Sequence, residues 1–393
     1  MRATLITRGF TGSILPLAKQ MLKDGHEVDI FIICNRVELD DIEAFECNYF
    51  AKRLGLQLIP NSFWSSTKKY MQSDNVRLFC IRYLRPYESI PVLKRFVSVI
   101  NSLITSRCLS FINKQGYNLI NIVCGYYSKE YIPYIKGLSV SPVVSLHEVC
   151  NHFAPDFIHP SPLLKLLFNK KLPVIVYSNN SLNDILHYTQ ADRNMIYRIN
   201  FGNFTSYESV HKDRSLILPE KYILFFGTLK KYKGLGVLFD AITKYNPLPS
   251  SIKCVVAGAG YDESFELMKR DERFVCIHKR LTNAELVRLI SDAIVVVSPY
   301  LTMSQSGIPQ TVFVYNKPII ASDLDGFTEL LNDTNSLIFK TGNPADLSDK
   351  IIRILQDESL YKSLEKGIMQ FSQSSSPYSW EYIAKQYLQF VNK

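Results

Sequence analysis

The sequence predicts an α/β protein made of two doubly wound domains in tandem, and three observations carry that expectation. Its 393 residues are too many for one ordinary α/β domain and enough for two cores. It opens with a strand, a helix and a second strand, at Ala3 to Thr7, Leu15 to Lys23 and Glu27 to Ile33, a βαβ start with parallel strands. After a polar stretch from Thr205 to Glu220, interrupted only by Leu216-Ile217-Leu218, the alternation begins again at Tyr222.

Each element has a local reason. Phe10-Thr11-Gly12-Ser13 reads as a tight loop, and Gly25 ends the first helix. Short apolar runs place further strands at Leu119 to Val123, Val143 to Leu146 and Val174 to Tyr177. In the second half, strands fall at Tyr222 to Phe226, Cys254 to Ala257, Phe274 to Ile277, Ile294 to Ser298 and Pro318 to Ser322. Two glycines in Tyr232-Lys233-Gly234-Leu235-Gly236 would break a helix, so the next helix is expected from about Val237 to Lys244. The expected boundaries are 1–205, 206–378 and a last segment, 379–393, whose helix Trp380 to Val391 crosses back to the first domain.

Composition excludes several classes. With 21% charged and 47% hydrophobic residues, the chain lacks the polar bias of disorder. Its eight cysteines form no C-x-x-C pair and often lie in apolar runs such as Phe31-Ile32-Ile33-Cys34, which reads as reduced core residues of a cytoplasmic protein. The start, Met-Arg-Ala-Thr-Leu-Ile-Thr, has no long apolar signal region. The best candidate span, Phe96 to Ile112, is interrupted by Asn101, Ser106 and Arg107. The net charge of +9 gathers at Arg77, Arg82, Arg85, Lys94, Arg95 and Arg107, and again at Lys165, Lys170 and Lys171 among leucines. An anionic membrane surface and an ordinary solvated face both account for it. No nucleic acid is expected as a partner, because no zinc, RRM-type or helix-turn-helix signature accompanies the charge.

The motifs lie at strand ends. The strand at Ile294 opens into Ser304-Gln305-Ser306-Gly307-Ile308-Pro309 and an apolar helix, with Ser at the cap and Pro in the first turn. Unpaired backbone N–H groups at such an end attract phosphate. Phe226-Gly227-Thr228-Leu229-Lys230-Lys231-Tyr232-Lys233-Gly234 also follows a strand, and Gly227 permits a close turn while Lys233 can reach a phosphate. A lysine-rich surface turn is the plainer alternative. Val255-Val256-Ala257-Gly258-Ala259-Gly260 is a strand running into glycines, and His278-Lys279-Arg280 follows the next strand. In the first half, Val143 to Leu146 ends in His147-Glu148, with His152 beyond. A His–acid pair at the carboxyl end of a parallel strand lies where open α/β sheets bind ligands, although His147 can equally be a packed ring.

This order of strand, phosphate-type loop, helix, strand and Asp-Leu-Asp-Gly-Phe-Thr-Glu resembles the donor-sugar site of GT-B fold glycosyltransferases of family-four type. The resemblance implies two Rossmann-like domains with an interdomain cleft, closing over a nucleotide-sugar donor and a saccharide or lipid-linked acceptor. It assigns Gly227 and Lys233 to the donor diphosphate, with Thr228 standing where the family has Arg and either Lys230 or Lys231 expected to supply the missing charge. Gly258 falls on the family's Gly-x-Gly, and His278 and Arg280 on the nucleobase loop. Ser304, Gln305, Ser306, Gly307 and Ile308 fall on the phosphate loop, Thr311 in the helix after it belongs to the same donor-binding set, and Gly12 borders the same cleft. His147-Glu148 resembles the family's His-Asp pair, and Asn200-Phe201-Gly202-Asn203-Phe204 the segment entering the linker. The family's two glutamates, eight positions apart, correspond to Met303 and Thr311, neither of which is a carboxylate.

The resemblance further implies a retaining transfer of a hexose-type unit in surface polysaccharide or glycolipid assembly, with His147, Glu148 and Lys233 as catalytic groups. It implies no cofactor and no metal, and Asp323 and Asp325 lie beyond the second strand, where they shape a turn. The protein is then cytoplasmic, with the inner face of the membrane as a peripheral location if the basic patches meet lipid. A nucleotide-sugar epimerase of the same fold and an inactive sugar-binding or scaffold protein are the alternatives. A dinucleotide oxidoreductase is disfavoured, since Gly9-Phe10-Thr11-Gly12 lacks the G-x-G-x-x-G spacing.

Overall fold

A computed structural model describes residues 1–36, 39, 42–43, 45–85, 91–147, 149, 161–188, 191–303 and 306–391. Glu148, His152, Ser304 and Gln305 lie outside the described residues. The chain divides into two compact units, Met1–Gly202 with Glu208–Val210 and Trp380–Lys393, and Asn203–Tyr207 with His211–Ser379.

The first unit runs β1 (Arg2–Thr7), α1 (Thr11–Lys23), β2 (Glu27–Cys34), β3 (Gly55–Leu58), α2 (Ser65–Met71), β4 (Val76–Arg82), α3 (Pro91–Asn113), β5 (Leu119–Cys124), α4 (Ile132–Gly137), β6 (Val143–Leu146), α5 (Pro162–Asn169), β7 (Val174–Val176), α6 (Asn179–Tyr188) and β8 (Ile196–Arg198). Its sheet has the order β3-β4-β2-β1-β5-β6-β7-β8, parallel throughout except for β3 against β4. Strands β1, β2 and β5 are almost wholly buried, as expected where helices cover both faces. The order reverses at β1, so the carboxyl ends of β1 and β5 flank a topological switch point.

Two sequence expectations are corrected here. Residues Thr11, Gly12 and Ser13 are the first turn of α1 and not a loop before it, and the Ser13 hydroxyl donates to the Phe10 carbonyl at 3.0 Å. The apolar run after Ile90 is one long helix, and its segment Val92–Asn113, with mean hydropathy 1.2, has the length and composition to cross a bilayer. Its residues Ile104, Cys108 and Ile112 pack in the core of the unit, so α3 is a helix of the α/β layer structure. Two members of the basic cluster are engaged internally. Arg77 pairs with buried Asp29 at 2.6 Å, and Arg82 donates to the carbonyls of Ala51 and Lys52 at 2.7 and 2.8 Å.

The second unit runs β9 (Tyr222–Phe226), α7 (Leu235–Tyr245), β10 (Lys253–Gly258), α8 (Glu263–Met268), β11 (Phe274–His278), α9 (Asn283–Asp292), β12 (Val295–Ser298), α10 (Ile308–Val312), β13 (Ile319–Ser322), α11 (Asp325–Thr328), β14 (Ser336–Phe339), α12 (Pro344–Gln356) and α13 (Glu358–Phe371). The sheet order is β11-β10-β9-β12-β13-β14, all parallel. In order of appearance that is 3-2-1-4-5-6, the doubly wound arrangement whose switch point lies between its first and fourth strands, β9 and β12. Helix α7 begins at Leu235, two residues earlier than expected, because Gly234 is its left-handed N-cap and Gly236 is absorbed in the first turn.

The final helix, α14 (Trp380–Leu388), belongs to the first unit. There the Tyr387 hydroxyl meets those of Tyr177 at 2.9 Å and Ser145 at 3.2 Å, which satisfies three buried polar groups at once.

Candidate active site

In the second unit the candidate site is built at the β9/β12 switch point. The chain leaves β9 through Gly227 and makes a short turn, Lys231–Lys233, closed by Gly234 with φ of +72°. A side chain at Gly234 is excluded twice, since its Cβ would also lie 1.7 Å from the Pro299 carbonyl oxygen. This close approach lays the loop after β9 on the loop after β12, and the Leu301 N–H donates to the Tyr232 carbonyl at 2.8 Å.

Lys233 and the Ser306 loop, read separately from sequence, are thereby joined through Tyr300. The Lys233 Nζ donates to the Tyr300 hydroxyl and lies 3.8 Å from its ring centroid. The same buried hydroxyl hydrogen-bonds the Ser306 side chain, whose Oγ accepts from the Ile308 N–H at 3.3 Å. Burial, helped by the nearby Lys230 charge, lowers the Lys233 pKa to about 8. The result is a half-buried ammonium held by a neutral phenol, with no carboxylate paired to it among the described residues. Such a group favours an incoming anion. Tyr300, two residues beyond a buried strand, is not singled out by the sequence, where it reads as one more core aromatic.

The remaining second-unit candidates divide. Thr228 and Lys230 are exposed beside this turn, and Lys230 is close enough for its field to reach Lys233. Gly258 closes β10 where a Cβ would lie 1.7 Å from the Gly227 carbonyl oxygen, so its part is backbone packing between two loops. His278 accompanies them, its Nε2 2.9 Å from the Gly260 carbonyl, and Arg280 is exposed in the following loop. Lys279 is taken up by Glu285, which also completes a capping box with Thr282 on α9.

The helix after Gly307 is short. Helix α10 has five residues and passes into a single turn at Phe313–Tyr315, stopped by Asn316 with φ of +53°. Its dipole is correspondingly small, and Lys233 supplies the full positive charge here. Gly307 is its N-cap, with Ser306 one residue before. Thr311 is buried and its hydroxyl donates back to the Gly307 carbonyl at 2.9 Å, so it is committed within its own helix. Met303 packs against the core. The Asp323 carboxylate accepts from both the N–H and the hydroxyl of Thr341, which makes it a turn-shaping residue. Among the described residues there is no group of three or more His, Cys, Asp or Glu side chains arranged to hold a metal ion.

In the first unit, His147 follows β6 directly. Its ring stacks on Phe10 at 4.1 Å and borders Tyr177 and Phe201, while Nε2 lies 3.2 Å from the Ser13 Oγ. Surrounded by these rings, the imidazole is desolvated and its pKa falls to about 3. At neutral pH it is therefore a neutral hydrogen-bonding group and no cation. Phe10 also lines a cavity of about 310 Å³ at the β1/β5 switch point, with Arg8, Gly125, Ser128 and Glu130.

Gly12 lies in the first turn of α1, and its N–H bonds the Glu43 carboxyl, whose pKa burial raises to about 7. Glu43 was not singled out in the sequence, and its isolated position offers no signal there. Its folded-state pKa lies above the unfolded value of about 4.3, so folding favours the protonated form and ionisation destabilises it as pH rises from 4 through 7. Glu43→Gln should therefore stabilise the protein at pH 8 by about 1–3 kcal/mol, with the gain fading towards pH 4. Urea unfolding at the two pH values measures this, and an equal effect at both would refute it.

Comparison with known proteins places the second unit. Residues 220–357 match the family model described as glycosyl transferases group 1. A curated relative, an uncharacterized glycosyltransferase of Methanocaldococcus jannaschii, is 27% identical over 161 residues, which are 40% of this chain. The chain spans only 44% of the length of that relative.

Whole-chain likeness is found among solved structures. Anabaena HepE, solved with UDP and glucose, has a TM-score of 0.62 at 14% identity, covering 99% of this chain and 98% of its own. S. aureus TarM, solved as a mutant with fondaparinux, alpha-GlcNAc-glycerol and UDP, has a TM-score of 0.63 at 14% identity, with full coverage of both chains. A glycosyltransferase of Rickettsia africae has a TM-score of 0.61 at 14% identity, covering 99% and 97%. The two parallel-sheet units thus have the GT-B glycosyltransferase fold.

Proposed function

We propose that this protein is a glycosyltransferase that moves a hexose-type unit from a nucleotide-sugar to a saccharide or lipid-linked acceptor, with retention of configuration. The observation that carries the reading is the Lys233–Tyr300–Ser306 cluster at the β9/β12 switch point, within the segment that matches the group 1 model. A diphosphate there would meet the Lys233 ammonium, the Lys230 charge and backbone N–H groups near Gly307. These are the groups that stabilise negative charge developing on a leaving diphosphate. Thr228 contributes no charge, so Lys230 takes the place of the family's Arg. UDP in the HepE and TarM complexes supports a nucleoside diphosphate as the donor's leaving part.

His147, Glu148 and Gly12 are the first-unit contributors in this reading, with His147 acting as a neutral hydrogen-bonding group on the sugar. His278, Arg280, Gly227, Gly258, Ser304, Gln305 and Ile308 complete the donor set. The place of action is the cytoplasm, on the inner face of the membrane, in surface polysaccharide or glycolipid assembly.

A second reading, a sugar-nucleotide-binding protein without turnover, is favoured by Met303 and Thr311, which stand in place of two carboxylates and are committed to packing and to an internal hydrogen bond. A thermal-shift screen across nucleotide-sugars, followed by product analysis with the best binder, tests both. Ligand-dependent stabilisation with sugar transfer is the expected result. Stabilisation with no turnover would select the second reading, and release of an isomerised nucleotide-sugar would select an epimerase.

A further inference from the structure

We propose that the acceptor is an amphiphile, with a polyhydroxylated head bound in a cavity beside α3 and a hydrocarbon tail in an anionic lipid leaflet on which the outer face of α3 rests. The inference depends on the glycosyltransferase reading and names the acceptor class within it.

The first unit contains a cavity of about 910 Å³, at the upper end of the range of small-molecule sites. It opens at the carboxyl ends of β2 and β4, by Asn35 and Leu84, where a doubly wound sheet binds ligands. One wall is the polar side of α3, including Ser98, Ser102, Thr105 and Asn113. Neutral hydroxyls and amides of this kind suit the hydroxyls of a sugar or polyol. Asn101 fixes the wall by exchanging two hydrogen bonds with Leu84, at 3.0 and 3.1 Å. The Arg8–Glu130 ion pair, 3.1 Å apart, lines this cavity and also the smaller one that contains Phe10, on which His147 stacks, so the two cavities share that boundary.

The other face of α3 supplies the tail's environment. Val92, Phe96, Val99 and Leu103 recur every three or four residues and are 76%, 62%, 60% and 57% exposed. A helix that buries Ile104 and Ile112 in the core while leaving this stripe uncovered needs an apolar phase outside the protein. Its charge selects which phase. Helix α3 has no acidic residue, and Arg95 and Arg107, three residues after Val92 and four after Leu103, lie beside the stripe while Lys94 lines the cavity, so the outer face complements an anionic leaflet.

Two measurements on the full chain test the proposal. Co-sedimentation with phosphatidylcholine vesicles, with and without about one-third phosphatidylglycerol, should show binding that needs the anionic lipid. The exposed-site double variant Phe96→Asp, Val99→Asp should weaken that binding by about ten-fold or more. Equal binding to both vesicles, an unaffected double variant, or a stripe that instead mediates self-association in solution would each overturn it. For the cavity, dodecyl maltoside carried in the anionic vesicles should be bound about ten-fold more tightly than free maltose, and Ser102→Trp should abolish the difference while leaving nucleoside-diphosphate affinity unchanged. Diphosphate binding without preference for the tailed glycoside would overturn this inference alone. No diphosphate binding by the native protein would overturn the proposed function as well.

Discussion

Replacing Lys233 with Ala should weaken binding of a nucleoside-diphosphate donor by about 10- to 150-fold, while leaving the unliganded protein no less stable. The loss corresponds to about 1.5–3 kcal/mol, the usual contribution of a hydrogen bond to a charged group. The stability half follows from the depressed pKa. An ammonium with a folded-state pKa near 8 is disfavoured in the fold, so this group detracts from stability below pH 8 and ceases to do so as pH rises towards its unfolded value of about 10.4. Removing it at pH 7 should leave stability equal or higher by about 1 kcal/mol, since Tyr300 keeps its bond to Ser306. Donor affinity of the native protein should likewise fall as pH rises above 8, when the amine loses its proton. Calorimetric titration with a nucleoside diphosphate from pH 6.5 to 9, paired with urea unfolding, measures both parts. A destabilised variant with unchanged affinity would show that Lys233 is structural.

His147→Ala should lower turnover by about 100-fold or more, the scale seen when a donor to developing charge is removed, with donor affinity within about three-fold of native. All the diphosphate-binding groups proposed above belong to the second unit, whereas His147 belongs to the first, so binding and turnover should separate in this variant. Because the ring is neutral down to about pH 3, the pH profile of the native enzyme should show no limb between pH 5 and 8 that vanishes in the variant. Steady-state kinetics and calorimetry on the same preparation decide the matter, and full activity of His147→Ala would remove His147 from the mechanism.

Much of this architecture was legible in the residues. Buried parallel strands are continuous apolar runs, so Tyr222 to Phe226 and the strands at Cys254 and Val143 stand out, with chemistry-bearing loops at their carboxyl ends. The helix starts were less legible, because Gly234 acts through a left-handed backbone that the residue type permits without announcing. Helix α3 was read only as an interrupted apolar run, since its core side and its exposed stripe are both apolar and blur the period. In the site, Lys233 and Ser306 were found by type and place, but Tyr300, which joins them, looks in sequence like any core aromatic. The pKa shifts of His147 and Glu43 were not legible at all, because they arise from neighbours far apart in the chain.

The return of Trp380–Lys393 to the first unit has a consequence for biosynthesis. The ribosome delivers most of that unit first and the helix at Trp380 only after the whole contiguous stretch His211–Ser379 has emerged. Until then Ser145 and Tyr177 wait without Tyr387, and the groove along α1 that receives α14 is open to the chaperones that hold nascent chains. The second unit can be finished while the first cannot, so the first unit matures only after the second has emerged. A stop codon at Trp380 would spare the segment that matches the group 1 model and still yield a protein whose other half never closes.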